Sequence, residues 1–124
     1  MERKYDIEDR CIVFGAEIVK LTDSLPITKA ASHLGGQLLR SGTAPALHYG
    51  EVQSAESPRD FIHKMGMALK ELRESKNNMR VQALAGLMDL MKPEQAWLMN
   101  ECCELIAIFN ASIKTAEKNN PRKK

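Results

Sequence analysis

The chain has 124 residues, 44% hydrophobic and 27% charged, with a formal net charge of +2. That length suits one domain with room for a core, and that balance excludes a disordered polyelectrolyte. A net charge this small names neither nucleic acid nor membrane as a partner; only its distribution could.

The opening residues Met1-Glu2-Arg3-Lys4-Tyr5-Asp6 have no apolar run behind them, which predicts no signal peptide. The longest apolar run, residues 105–109, falls far short of the roughly 20 residues a bilayer span requires. A cytoplasmic protein is the expectation. Cys11, Cys102 and Cys103 form no C-x-x-C pair and leave an odd thiol under any single pairing. Free thiols in a reducing compartment are therefore expected, each a small buried side chain.

The first predicted helix covers residues 9–25. Cys11, Phe14, Ile18, Leu21 and Leu25 recur at three- and four-residue spacing on one face. Ile12, Ala16 and Val19 form another face, about 120° away at 100° per residue. Two apolar faces need two partners. Pro26 stops this helix, and Thr28 can cap the next, predicted over residues 29–51 with Ala31, Leu34, Gly35, Leu38 and Leu39 on its apolar side. The Gly35-Gly36 pair costs about 1 kcal/mol per glycine relative to alanine, which points to close approach of a neighbouring backbone. At Ser41-Gly42-Thr43-Ala44-Pro45 the helix is expected to be disturbed and kinked near Pro45, because proline removes a donor and crowds the preceding turn. Residues 53–56 read as a loop.

The third helix, residues 58–84, has the strongest start signal: Ser57 as cap, Pro58 at the first helical position and Asp60 at the third. Phe61, Met65, Ala68, Leu69, Leu72, Met79 and Ala83 make its apolar stripe. Gly86 and the aperiodic residues 87–91 read as a turn. The fourth helix, residues 93–117, carries a core stripe of Leu98, Cys102, Leu105, Ile106, Phe109 and Ile113, with Trp97 and Ile108 about 100° off it. A basic tail follows at residues 119–124. There is no alternating strand pattern and no internal repeat. The fold class predicted is all-α: an up-and-down antiparallel four-helix bundle, one domain over residues 1–124 with its helical core at 9–118. Helices one and four, adjacent as chain ends often are, have apolar surface to spare. Ile12, Ala16, Val19, Trp97 and Ile108 are the expected oligomer interface.

Arg40-Ser41-Gly42-Thr43, then Tyr49 and Glu51, then Ala55-Glu56-Ser57, Asp60-Phe61-Ile62, Lys64 and Ala68-Leu69-Lys70-Glu71 stand in a telling order and spacing. They resemble the bacterial four-helix-bundle family encoded in intervening sequences of 23S ribosomal RNA genes (ribosomal protein S23-like). That family is itself similar to the accessory variability proteins of diversity-generating retroelements. The resemblance implies an up-and-down bundle assembled as a five-subunit ring, with a nucleic-acid-binding role and no enzymatic activity. The chain departs from the family pattern at Pro45-Ala46-Leu47-His48, where a small residue followed by Ala-Asn is usual, and at Gly50, where a basic residue is common.

Asp60-x-x-His63 has the form of a carboxylate-x-x-His metal motif, but it stands alone and faces away from Phe61 and Leu72, so no metal is expected. His33 and His48 have no partner spacing. No Gly-rich phosphate loop, zinc spacing or Ser-His-Asp set appears, and neither cofactor nor catalytic residue is assigned. Tyr49 and Glu51 are expected to form a polar network that pins the kink. More informative is helix three, where Arg59, His63, Lys70, Arg73, Asn77 and Arg80 fall within a sector of about 100°, with Asp60, Glu71 and Glu74 beside it. One reading is a solvated face with pairs such as Lys70 to Glu74. The other is a surface for RNA or DNA phosphates made by Arg59, Lys70, Arg73 and Arg80, with Arg122, Lys123 and Lys124 adding reach. A non-enzymatic oligomer that binds nucleic acid is therefore expected; the alternative is an oligomeric scaffold for another protein.

Overall fold

The computed structural model describes residues 6–121. These form four helices: α1 (Ile7–Ser24), α2 (Lys29–Gln53), α3 (Pro58–Leu84) and α4 (Pro93–Asn119). No strand occurs among the described residues.

Local chemistry fixes where the helices start. The Asp6 carboxylate accepts from Asp9 N at 2.8 Å, so α1 begins at Ile7, ahead of the expected residue 9. Thr28 Oγ1 accepts from Ala31 N at 3.1 Å and caps α2. At α3 the cap is reciprocal: Ser57 Oγ accepts from Asp60 N at 3.0 Å, and Asp60 Oδ2 accepts from Glu56 N at 3.1 Å. That backbone hydrogen bond, with the Lys64 ammonium 3.1 Å away, holds the Asp60 carboxyl below its usual range. No side chain caps α4, which relies on Pro93 in its first turn.

The helices pack in chain order around a ring. α1 meets α2, α2 meets α3, α3 meets α4, and α4 closes on α1 along the sparsest seam; the diagonal pairs α1/α3 and α2/α4 stay apart. This is the expected up-and-down bundle. Phe14, Ile18, Leu38, Met65, Leu72, Met79, Leu105 and Phe109 fill its centre and are fully buried. Each such side chain contributes about 1.5–3 kcal/mol through area removed from water.

Several expectations change at close range. α2 runs as one helix through the buried Pro45, as the single span expected over residues 29–51 requires, and extends to Gln53. Gly42 serves packing: a Cβ on it would lie 2.8 Å from Ile18 Cγ1. Nearby, a Cβ on Gly15 would lie 3.6 Å from Thr43 Cα. The close approach of α1 and α2 is therefore at Gly15 and Gly42. Gly35 faces only the Leu25 side chain, and Gly36 faces open space. Tyr49 and Glu51 form no shared network. Tyr49 packs on Phe109 with ring centroids 6.1 Å apart, while Glu51 lies 3.8 Å from His48 Nδ1. Cys11 and Cys102 are buried, and burial pushes each thiol up to about 12. Cys103, expected to be buried too, is exposed, because it follows Cys102 by one helical step of 100° and turns off the core stripe.

Candidate nucleic-acid interface

At 1.5 Å per residue α3 is about 40 Å long, and its two sides have different tasks. Toward the core it presents Met65, Leu72 and Met79. Toward α2 it presents polar groups that are themselves buried. Ser75 Oγ lies 2.8 Å from Ser41 Oγ, Asn78 Nδ2 donates to the Leu34 carbonyl at 3.0 Å, and Gln82 Nε2 donates to Asn78 Oδ1 at 2.7 Å. Gln82 Oε1 has no partner. These contacts fix the register of α2 against α3, and periodicity could not reveal them, since a polar residue facing a neighbouring helix looks like one facing water.

Away from the core, Arg59, His63, Lys70, Arg73, Asn77 and Arg80 are all exposed, as the sector reading expected. From Arg59 to Arg80 this line extends roughly 31 Å along the helix. Arg73 Nη2 donates to Asn110 Oδ1 of α4 at 3.3 Å. Among the described residues Arg59, Lys70 and Arg80 make no ion pair.

The neighbouring acids are occupied. Arg40 of α2 donates from Nη1 to Glu71 Oε2 at 3.0 Å and from Nη2 to Glu74 Oε2. Asp60 is held by Lys64 and the Glu56 amide. Glu74 therefore pairs across to α2, and not along α3 with Lys70. Arg40 is one of the residues that carry the family resemblance, but nothing near it in the sequence marks its electrostatic part. Its partners lie 31 and 34 positions away in the chain, and only the α2/α3 register brings them together.

At the N-terminal end of α3 the line meets a shallow groove in which Arg59, Asp60 and His63 face Glu117 and Asn120 of the α4 end. Arg122, Lys123 and Lys124 lie outside the described residues. Among the described residues no group of three or more His, Cys, Asp or Glu side chains gathers as a metal site, Asp60 and His63 included. No helix among them is long and apolar enough to cross a membrane.

The expected interface residues are accessible. Ile12 is 52% exposed, Ala16, Val19 and Trp97 are exposed, and Ile108 is half-buried. They lie on opposite borders of α1. Arg10 turns toward α4, with Nε 2.9 Å from Glu101 Oε2 and Nη2 2.6 Å from Glu101 Oε1, whereas Gly15 turns toward Thr43 of α2. At 100° per residue, Ile12, Ala16 and Val19 fall about 120–180° from Arg10, on the α2 side. On α2 itself Leu39 and Leu47 are exposed as well. Trp97 and Ile108 share a row with Glu101 and Glu104, on the α1 side of α4.

No family model matches the chain, and no curated protein matches it. Among solved structures, the bundle is similar to the crystal structure at 1.70 Å of a protein of unknown function from the S23 ribosomal protein family of Bacteroides thetaiotaomicron VPI-5482. The two are 26% identical, over 88% of this chain and 99% of that one, with a TM-score of 0.80.

Proposed function

We propose that this chain is an S23-like, non-enzymatic, cytoplasmic homo-oligomer that binds the phosphates of RNA or DNA through α3, with little sequence preference. One observation carries the reading: among the described residues Arg59, Lys70 and Arg80 make no ion pair on one exposed line while Glu71 and Glu74 are engaged by Arg40 and Asp60 by Lys64, which leaves Glu117, across the groove from Arg59, as the one facing acid not so held. A line of this kind supplies the sequence-independent electrostatic attraction that dominates phosphate binding. Base stacking adds little, because no aromatic residue stands on the outer face of α3. Arg122, Lys123 and Lys124 would extend the reach.

Assembly strengthens the attraction. The apolar border of α1 with α2 differs from the border of α4 with α1, and two unlike patches favour head-to-tail contacts, which close into a ring when the rotation allows. Five subunits, and kinship to the retroelement accessory proteins, follow from the family resemblance. α3 is diagonal to α1, so contacts through the flanks of α1 leave the basic line facing outward and repeat it around the axis.

The test is the dependence of log K on log salt for a short RNA duplex. Counterion release gives a slope of about −0.9 per phosphate neutralised, so the R73Q/R80Q double variant should flatten the slope by roughly two units per engaged subunit. Absence of binding at low salt, or an unchanged slope, would leave the basic line as a solvated face. The scaffold reading would then take over, favoured by Ile27, Leu84 and Met91, almost fully exposed in and beside the two loops at one end of the bundle.

A further inference from the structure

We propose that Arg40, which stands on α2 and off the basic line, determines how many cations that line presents, by holding Glu74 away from Lys70. The inference rests on the phosphate-binding reading above.

Within a helix only residues three and four apart face one another. Around Lys70 these are Gly66, Met67, Arg73 and Glu74, of which Glu74 alone is acidic. Arg73 has Leu69, Lys70, Lys76 and Asn77 at those positions, and Arg80 has Lys76, Asn77, Ala83 and Leu84. Neither has an acid within reach along α3. Glu74 is thus the single carboxylate through which α3 could silence one of Lys70, Arg73 and Arg80.

Arg40 prevents this with a geometry lysine lacks. Its two terminal nitrogens go to two carboxylates, Nη1 to Glu71 and Nη2 to Glu74, so one fork occupies both acids beside the line. The neighbouring residue, Ser41, is buried against Ser75 at 2.8 Å, which holds this level of α2 in register with α3. The arrangement is stable but not sealed: the Arg40 side chain is 58% exposed, Glu71 18% and Glu74 38%. Lys70 and Arg40 can therefore compete for Glu74, and removal of Arg40 hands the carboxylate to Lys70. Arg40 acts here as a positioning residue that touches no phosphate.

The experiment is a salt series of duplex-RNA binding by fluorescence anisotropy with the full chain, for the wild type, K70Q, R40Q, R40Q/K70Q and R40Q/E74Q, each checked for helical content and melting temperature. R40Q should flatten the slope by about one unit per engaged subunit, as K70Q does, since one phosphate contact is lost in either case. R40Q/K70Q should be no flatter than K70Q alone. R40Q/E74Q should return to the wild-type slope, because Lys70 is then free again; a purely structural effect of Arg40 would not be rescued this way. Binding by R40Q with the wild-type slope overturns the inference, as does an R40Q/E74Q variant that stays flat, which would mean that Arg40 itself meets a phosphate. If K70Q binds as wild type while R73Q/R80Q is flattened, Lys70 lies outside the site and this inference fails alone. If neither is flattened, the basic-face reading fails with it.

Discussion

Gly42 and Gly36 stand six residues apart in one helix and answer to opposite constraints. A Cβ at Gly42 would lie 2.8 and 2.9 Å from carbons of Ile18, a fully buried side chain with nowhere to move, whereas a Cβ at Gly36 meets nothing within 4 Å. G42A should therefore destabilise the bundle by about 1–3 kcal/mol, overpacking outweighing the gain in helix propensity. G36A should stabilise it by about 0.5–1 kcal/mol. Urea denaturation of the two variants checks both signs, and equal effects would contradict the packing described. The residue type was legible in the sequence at both places, but its reason was not: a glycine opposite a buried isoleucine and one opposite solvent are written alike. The same holds for Arg40, whose partners become visible only once α2 and α3 are in register.

At the scale of the element, the predicted helices matched closely because their ends are set by contacts between near neighbours. Thr28, Ser57 and Pro93 act within a few residues of themselves, so their effect can be read directly. Ser75, Asn78 and Gln82 were not legible as core, since their partners are on α2 or one turn away inside the interface. The α3 cap supplies a pH test. Its Asp60 carboxyl sits below the ordinary range, first through the Glu56 amide and then through Lys64. A depressed folded-state pKa means stability that is present above the ordinary carboxylate range and is lost as pH falls through the folded value. The wild type should accordingly be more stable than D60N at neutral pH, with the difference closing in acid. Denaturation of both proteins across a pH series measures it; a gap that stays constant to low pH would show that the charge contributes nothing.

For the whole molecule, the bundle was legible because its core stripes are regular, and the second apolar faces were legible as surplus. Their arrangement was not. Which flank of α1 faces α2 and which faces α4 depends on Gly15 and Arg10 finding Thr43 and Glu101 across the bundle. If Ile12 and Val19 are covered by a second copy, I12E/V19E should dissociate the assembly while keeping its helical spectrum. Charge buried at an interface costs several kcal/mol, whereas in the free chain both positions are wet. A variant that remains assembled would place the contact elsewhere.

The most direct measurement is light scattering on the chain mixed with a short RNA duplex at low salt, with the mass of each eluting species resolved. One species that contains RNA together with several copies of the 13.9 kDa chain is expected, breaking down into free RNA and free oligomer as salt is raised. Elution of the RNA apart from a 13.9 kDa monomer would contradict both the assembly and the phosphate-binding surface.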